Sequence, residues 1–259
     1  MFTGLIETTG TVLSLKRVDG SAPRLIIAAP NLAGRWKQGD SISVNGVCLT
    51  AIDVEEEDEP HPGRFAADLA HETVRRTTLT RLSPGALVNL ELPTPAGSPM
   101  GGHLVQGHVD GTGRIVSLQP LNRDLDRTDW RLILEAPPEL AASIVAQGSI
   151  TVDGISLTVA KLNSPDKYGN VCVEVAIIPH TYHATNLHAL LSGTFVNLET
   201  DVLARYAAQH VAYIQAAPLA AAEDHPPAPP TLSWQTLAHD AAPNTTNDLT
   251  TAFLIANGY

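Results

Sequence analysis

Cysteine is nearly missing from this sequence of 259 residues: Cys48 and Cys172 are the only two, both inside apolar stretches and not in a CxxC pair. There is no disulfide framework in that pattern, and two free thiols fit a reducing, cytoplasmic setting. Positive charge is also scarce. Sixteen Lys and Arg stand against 27 Asp and Glu, for a net charge of −11 with no basic cluster, so a nucleic-acid partner is not expected. No apolar run approaches the roughly 18 residues needed to span a bilayer, and Met1–Glu7 lacks the basic and long apolar regions of an export signal. Neither membrane attachment nor export is expected. The phosphate-cradling GxxxxGK[ST], the dinucleotide GxGxxG and the zincin HExxH are absent too, which removes the usual markers of nucleotide hydrolysis, Rossmann hydride transfer and zincin chemistry. What remains is a globular chain, 44% hydrophobic, long enough for one large domain or two ordinary ones.

The chain repeats itself. Ser41–Thr50 (SISVNGVCLT) returns as Ser149–Thr158 (SITVDGISLT), a shift of 108 that also carries Glu72-Thr73 onto His180-Thr181, Leu79 onto Leu187 and Gly85–Glu91 onto Gly193–Glu199. Three blocks in one register imply duplication. Near the start, Gly4 and Gly10 map onto Gly107 and Gly113 with a shift of 103, so the loops between the first strands absorb the difference. A long period used twice gives paired domains, not a solenoid of short stacked units. The boundaries read as 1–97 and 98–200, followed by a helix over 201–215 and a tail over 216–259.

Each half reads mainly as strands. Runs such as 25–29, 41–44, 47–52 and 86–92 are short, rich in branched residues and bounded by Gly, Pro, Asn or Asp. Asn45-Gly46 and Asp153-Gly154 suit the positive φ of a type I′ hairpin turn. Segments 71–82 and 179–191 each read as one short helix, with Pro179 in a first turn and Gly85 and Gly193 beyond the ends. About six strands and a helix per half suggest a small closed barrel, which removes exposed sheet edges. Pro93–Gly102 reads as the linker. Asp201 can cap a final helix whose Leu203, Ala207, His210 and Ile214 approximate a heptad seam. The Ala/Pro-rich and then Thr/Asn-rich tail reads as disordered, and the acidic run Glu55–Glu59 as a solvated hairpin tip.

Ten histidines invite a metal reading, but His103 with His108, and His180 with His183, have no nearby Cys or Asp to complete a ligand set, so no metal is expected. The differences between the halves are more informative. Cys48 corresponds to Ser156, Asn45 to Asp153, Glu72 to His180 and Thr50 to Thr158. Taken singly, these are small residues in strands and ordinary turn formers. Together, matched apolar frames with altered polar members suggest two related pockets with unequal roles towards related ligands.

Met1–Glu7 (MFTGLIE), Ser41–Thr50, Gly101–Asp110 (GGHLVQGHVD), Asp153–Thr158 (DGISLT) and Val196–Asp201 (VNLETD) resemble riboflavin synthase over about residues 1–215. The resemblance implies an all-β chain of two tandem Greek-key six-stranded barrels with short helices, and a C-terminal helix that assembles a homotrimer. It implies conversion of two molecules of 6,7-dimethyl-8-ribityllumazine into riboflavin and a ribitylamino-pyrimidinedione by transfer of a four-carbon unit. The active site would lie between the first barrel of one subunit and the second barrel of another.

By the same resemblance, Ser41, Cys48, His103, Ser156 and Asp201 fall on positions implicated in catalysis, and Phe2 on one that shapes the site. Lumazine would be contacted by Gly4, Leu5 and Ile6, by Cys48, Leu49 and Thr50, and by Asp68, Leu69, Ala70, His71, Glu72 and Thr73. Further contacts would come from Gly102, His103 and Leu104, from Ser156, Leu157 and Thr158, and from Ile178, Pro179, His180, Thr181, Tyr182 and His183. Gln147 stands where some members have Lys, a departure that removes a charge from that pocket. The acidic insertion near residue 57 and the tail also lie outside the family pattern.

Such a reaction needs no cofactor. The lumazine ring itself acidifies its C7 methyl group and accepts nucleophiles, so the protein must hold two copies face to face and move protons. Cys48 or Ser156 would assist nucleophilic addition, and His103 would relay protons. A non-catalytic lumazine- or flavin-binding protein on the same barrels is the competing reading. A flavin oxidoreductase would need a nucleotide-binding α/β domain for which the tail leaves no room.

Overall fold

The computed structural model describes residues 1–16, 22–55 and 63–216. The acidic run beyond Glu55 and the tail beyond Ala216 lie outside the described residues. The first half contains β1 (Thr8–Lys16), β2 (Arg24–Ala28), β3 (Ser41–Val44), β4 (Val47–Thr50), β5 (Ile52–Glu55), β6 (Arg64–Asp68), helix α1 (His71–Arg76) and β7 (Leu87–Glu91). The second contains β8 (Gly111–Pro120), β9 (Trp130–Ala136), α2 (Pro138–Ala141), β10 (Ser149–Val152), β11 (Ile155–Leu162), β12 (Val171–Ile177), α3 (Pro179–Ala184) and β13 (Phe195–Thr200). Helix α4 (Val202–Ala216) follows.

The second half is a closed barrel in the order β10-β11-β12-β9-β8-β13. In it, β13 returns beside β10 after two hairpins, a Greek-key connection. The first half departs from the six strands expected: its sheet has seven, ordered β4-β3-β7-β1-β2-β6-β5. The extra strand comes from one interruption. Ala51 leaves the ladder to exchange main-chain bonds with the preceding loop, donating to Asp40 O and accepting from Gly39 N, each at 2.8 Å, and Asp53 then takes a positive φ of 47°. The run 47–52 is thereby cut into β4 and β5. Val159 makes the equivalent exchange with Gln147 and Gly148, at 2.9 Å each, but β11 absorbs it as a bulge and continues. With β4 and β5 counted as one broken strand, both halves run in the same cyclic order.

Each half has its own core, because alternate strand residues point inward. Leu25, Ile27, Ile42, Phe65, Leu69 and Leu90 fill the first, and Trp36 meets the Phe65 ring edge-on at 5.5 Å. Leu132, Leu134, Ile150, Val175 and Leu198 fill the second, where Tyr182 stacks on Trp130 at 3.7 Å. Each fully buried side chain of this size contributes about 1.5–3 kcal/mol.

The two expected hairpins form, pairing Val44 with Val47 and Val152 with Ile155. All four central residues have positive φ: Asn45 45°, Gly46 78°, Asp153 46° and Gly154 81°. Their tips meet each other. A Cβ on Gly46 would lie 2.7 Å from Gly154 N, closer than side-chain carbons come. Around the tips, Asn89 Nδ2 donates to Asp153 O (2.9 Å) and Asn197 Nδ2 donates to Asn45 O (2.8 Å), crossing from each half to the other. Asn186 donates its main-chain N–H to Asn89 Oδ1 (2.7 Å) and its carboxamide to Asp153 Oδ2 (3.0 Å). Asn45-Gly46 and Asp153-Gly154 are therefore the joint between the halves as well as turns.

The two segments read as single helices are each split. α1 ends at Thr77 and α3 at Thr185, both extended, and a 3₁₀ turn follows each (Leu79–Arg81 and Asn186–Ala189). The threonines cause the break. Each hydroxyl donates back to a carbonyl four residues earlier, Thr73 O or Thr181 O, at 2.7 Å, competing with continuation of the helix. Asp201 caps α4 as expected, its Oδ1 accepting from Leu203 N at 2.9 Å. Among the described residues, no helix is long and apolar enough to cross a membrane.

Candidate functional site

The segments ahead of each sheet cross to the opposite half. Phe2 and Val105 exchange main-chain bonds at 2.8 and 3.1 Å, tying the two segments together. Beyond that bridge, Gly4 O accepts from Ser156 N and Gly107 O accepts from Cys48 N, both at 2.8 Å. The strands bearing Cys48 and Ser156 are thus each covered by a segment from the other repeat. Glycine is required at both contacts: an added Cβ would lie 2.6 Å from the Cβ of Ser156 or Cys48, at a φ above +70°.

Two carboxylates clamp the crossings. Glu91, at the end of β7, accepts from Thr3 N (2.6 Å), Thr3 Oγ1 (2.8 Å) and Gly4 N (3.0 Å). Glu199, at the matching place on β13, accepts from Gln106 N (2.8 Å), Gly107 N (3.0 Å) and His108 N (3.1 Å). Burial pushes both carboxyls above the usual glutamate range, and the amide donors pull part of the way back.

Around Ser156, the structure brings together Gly4, Gly102 and His103. His103 Nδ1 lies 2.7 Å from Ser156 Oγ, and its Nε2 is buried without a hydrogen-bond partner among the described residues. Burial lowers the His103 pKa below its ordinary value, partly opposed by the charge of Asp201, so the ring is neutral at pH 7. A neutral imidazole bonded to a hydroxyl can accept that hydroxyl's proton.

Cys48, Glu72 and Thr73 instead line a cavity of about 340 Å³ with Gly107, His108, Asp110 and Arg205. Glu72 ion-pairs with Arg75 and Arg76, whose hydrogen bonds pull its carboxyl down to about 2. It is an anion at any working pH. Cys48 and Ser156, the paired positions of the repeat, stand in two different clusters.

The other expected site residues scatter. Ser41 and Thr50 face each other across β3 and β4, and Thr158 is exposed on β11 opposite Ser149. Leu49 and Leu69 are buried in the core of the first half and Leu157 in that of the second, and Phe2 is buried at the bridge. Asp68 is held by a two-pronged pair with Arg24 (2.7 and 3.0 Å). Ala70 and His71 are exposed at the start of α1, and Ile178 is exposed at the start of α3. Along α3, Pro179, Thr181 and Tyr182 are half-buried while His180 and His183 are exposed. Leu5 is exposed, whereas Ile6 and Leu104 are half-buried. Gln147 is exposed, with a φ of 65° at the position matching Gly39. Among the described residues, no group of three or more His, Cys, Asp and Glu is placed to hold a metal.

Sequence reasoning missed Glu91, Glu199, Asp110, Gln106 and Arg205. The repeat did offer a signal for the first two, since Val-Asn-Leu-Glu recurs in both halves and puts a carboxylate at the end of β7 and one residue before the end of β13.

Comparison with known proteins matches residues 3–93 and 106–201 to the lumazine binding domain family. A riboflavin synthase from Mycobacterium bovis is 44% identical over 207 residues, 80% of this chain and 96% of that protein. One from Bacillus amyloliquefaciens is 38% identical over 206 residues, 80% and 87% of the two chains. Among solved structures, LumP complexed with 6,7-dimethyl-8-(1'-D-ribityl) lumazine superposes with a TM-score of 0.63 at 21% identity, over 77% of this chain and 99% of that one.

Proposed function

The chain belongs to the riboflavin synthase family, and from that membership we propose that it converts two molecules of 6,7-dimethyl-8-ribityllumazine into riboflavin and 5-amino-6-ribitylaminouracil. A four-carbon unit, C6 and C7 with their methyl groups, leaves one lumazine and completes the benzenoid ring of the other, so no external oxidant or reductant enters. The observation that carries this reading is 44% identity to a synthase over 96% of that protein, spanning both repeats. The likeness to LumP, at 21% identity, speaks for the fold alone.

In this reading the Cys48 and Ser156 clusters each take one lumazine, the first between β4, α1 and the 107–108 segment, the second between β11, α3 and the 4–6 segment. His103 accepts a proton from the Ser156 hydroxyl either as that oxygen itself adds to the electron-poor ring or as Ser156 Oγ takes the proton of a bound water that adds, and returns it later. Holding the two rings in contact supplies most of the acceleration, because well-oriented reactants gain about 7–11 kcal/mol over free encounter. The two clusters of one chain are separate, which supports a site completed by a second copy. The exposed Leu203, Tyr206 and Val211 on α4 supply an apolar surface for trimer assembly. The free thiols Cys48 and Cys172 suit a cytoplasmic location.

Incubating the purified chain with 6,7-dimethyl-8-ribityllumazine alone and following absorbance tests the proposal. Riboflavin and the pyrimidinedione should appear in equal amounts. Bound but unconverted ligand would identify a binding protein instead.

A further inference from the structure

The two halves lock their crossing segments in the same way, except at one point. In the first half, Glu7 accepts from Leu92 N at 2.9 Å and pairs with Arg35 at 2.6 Å. In the second, Asp110 accepts from Thr200 N at 2.8 Å and Thr200 Oγ1 at 2.9 Å, and pairs with Arg205. Asp110 stands 103 residues after Glu7, the same shift that relates Gly4 to Gly107. Arg35 belongs to the loop between β2 and β3, within its own half. Arg205 belongs to α4, outside the repeat, and the shift of 108 takes it back to Gly97 in the linker.

Arg205 also holds more than its counterpart. One nitrogen, Nη1, pairs with Asp110, and Nη2 donates to Gln106 Oε1 at 2.6 Å, so the guanidinium fork fastens both ends of the segment that covers Cys48. Its side chain and that of Asp110 are only 31% and 13% exposed, against 53% and 29% for Arg35 and Glu7. It faces the same cavity of about 340 Å³ as Cys48 and Thr73.

We propose that Arg205 is a positioning residue specific to the Cys48 pocket, through which the C-terminal helix sets the shape of that pocket. The proposal rests on the lumazine-binding reading above. It deepens it by assigning one of two related sites a control that the other lacks. The pocket wall is main chain, so a shift of the 106–108 segment moves Gly107 O directly off Cys48 N. The unequal chemistry of the two halves then extends beyond Cys48 and Ser156 to what holds each in place.

Full-length wild-type, Arg205→Ala and Arg205→Lys chains are compared in two measurements. The first is titration with 6,7-dimethyl-8-ribityllumazine. The second is labelling by iodoacetamide, quantified separately at Cys48 and at Cys172, which lies on β12 of the other barrel. Arg205→Ala should weaken one class of lumazine binding about tenfold, the scale of one lost charge-assisted contact, and leave the other within about twofold. It should speed labelling of Cys48 several-fold with no change at Cys172. Arg205→Lys keeps the charge opposite Asp110 but loses the fork to Gln106, so it should fall between, and it carries the test if the Ala variant does not fold. Loss of both binding classes together, loss of neither, or equal acceleration at both cysteines would overturn the proposal. If the wild-type chain binds no lumazine, the functional reading fails by itself, and the ratio of Cys48 to Cys172 labelling still decides the role of Arg205.

Discussion

His103 Nδ1 lies 2.7 Å from Ser156 Oγ, joining the segment ahead of the second sheet to a strand in the wall of that sheet's barrel. The contact is made by a ring that burial keeps neutral at pH 7. A proton can move between the two atoms without either becoming exposed.

The first prediction follows from that pair. Ser156→Ala and His103→Gln should each lower kcat by about 10²-fold, the usual weight of one positioned proton-transfer group, with a smaller change in KM. Because burial lowers the His103 pKa, its protonation should not limit the wild-type enzyme until the pH falls below the ordinary value of 6.5. The acid limb of a kcat/KM profile should therefore lie below 6.5, and His103→Gln should abolish it.

Asp153 gives a prediction about stability. It is fully buried between the halves, and burial raises its carboxyl to about 6, against an ordinary 3.8, despite donors from Asn197 and Asn186. In the window from 3.8 to about 6 the native state holds a proton that the unfolded chain has already released. Stability from this group is therefore present at low pH and lost as pH rises through about 6. Asp153→Asn removes the titration. Whatever its offset at pH 4, its stability relative to wild type should shift in the variant's favour by up to about 3 kcal/mol between pH 4 and 7. Urea denaturation of both chains across that range measures the difference.

Much of the fold was legible because the repeat supplied the central hairpin and the last strand of each half twice. Val44 and Val47 flank Asn-Gly and Val152 and Ile155 flank Asp-Gly, so the hairpins could be placed from turn chemistry alone. The break at Ala51 was not legible, since its cause is a tertiary exchange with Gly39 and Asp40 that a run of apolar residues does not encode. The double role of Asn45-Gly46 was hidden for the same reason: its turn propensity explains the residues fully, and only the partner tip shows a second requirement. At the site, Cys48, His103 and Ser156 were marked by motif. Glu199 and Arg205 were not, because a strand-end carboxylate and a helical arginine look like surface charge until the main chain they hold is seen.

Glu199 and Glu91 should behave as structural clamps with a functional consequence. Glu199→Ala leaves three main-chain N–H groups, of Gln106, Gly107 and His108, without their acceptor. Unsatisfied buried donors cost about 1–3 kcal/mol each when water cannot reach them, and partial relaxation should bring the total loss to about 3 kcal/mol in urea denaturation. Glu91→Ala should cost a similar amount through Thr3 and Gly4. The sites should respond separately, with Glu199→Ala accelerating alkylation of Cys48 and Glu91→Ala leaving it near the wild-type rate.

The joint between the halves can be tested at a single atom. Gly46 and Gly34 both have φ near +75°, so alanine at either place meets the same left-handed backbone penalty of about 1 kcal/mol. They differ in surroundings: among the described residues a Cβ at Gly34 meets nothing within 4 Å, whereas at Gly46 it would lie 2.7 Å from Gly154 N and 2.9 Å from Gly154 Cα. Those neighbours are main chain fixed by the Asn89 and Asn197 bonds, so they cannot swing aside as a flexible side chain could. Gly34→Ala should lower stability by about 1 kcal/mol and keep full activity. Gly46→Ala should cost about 3 kcal/mol or more by prising the tips apart. It should also reduce turnover in chains that remain folded, because Cys48 lies two residues further along the same hairpin. Equal losses of stability in the two variants would mean that the tips are not packed as tightly as their geometry requires.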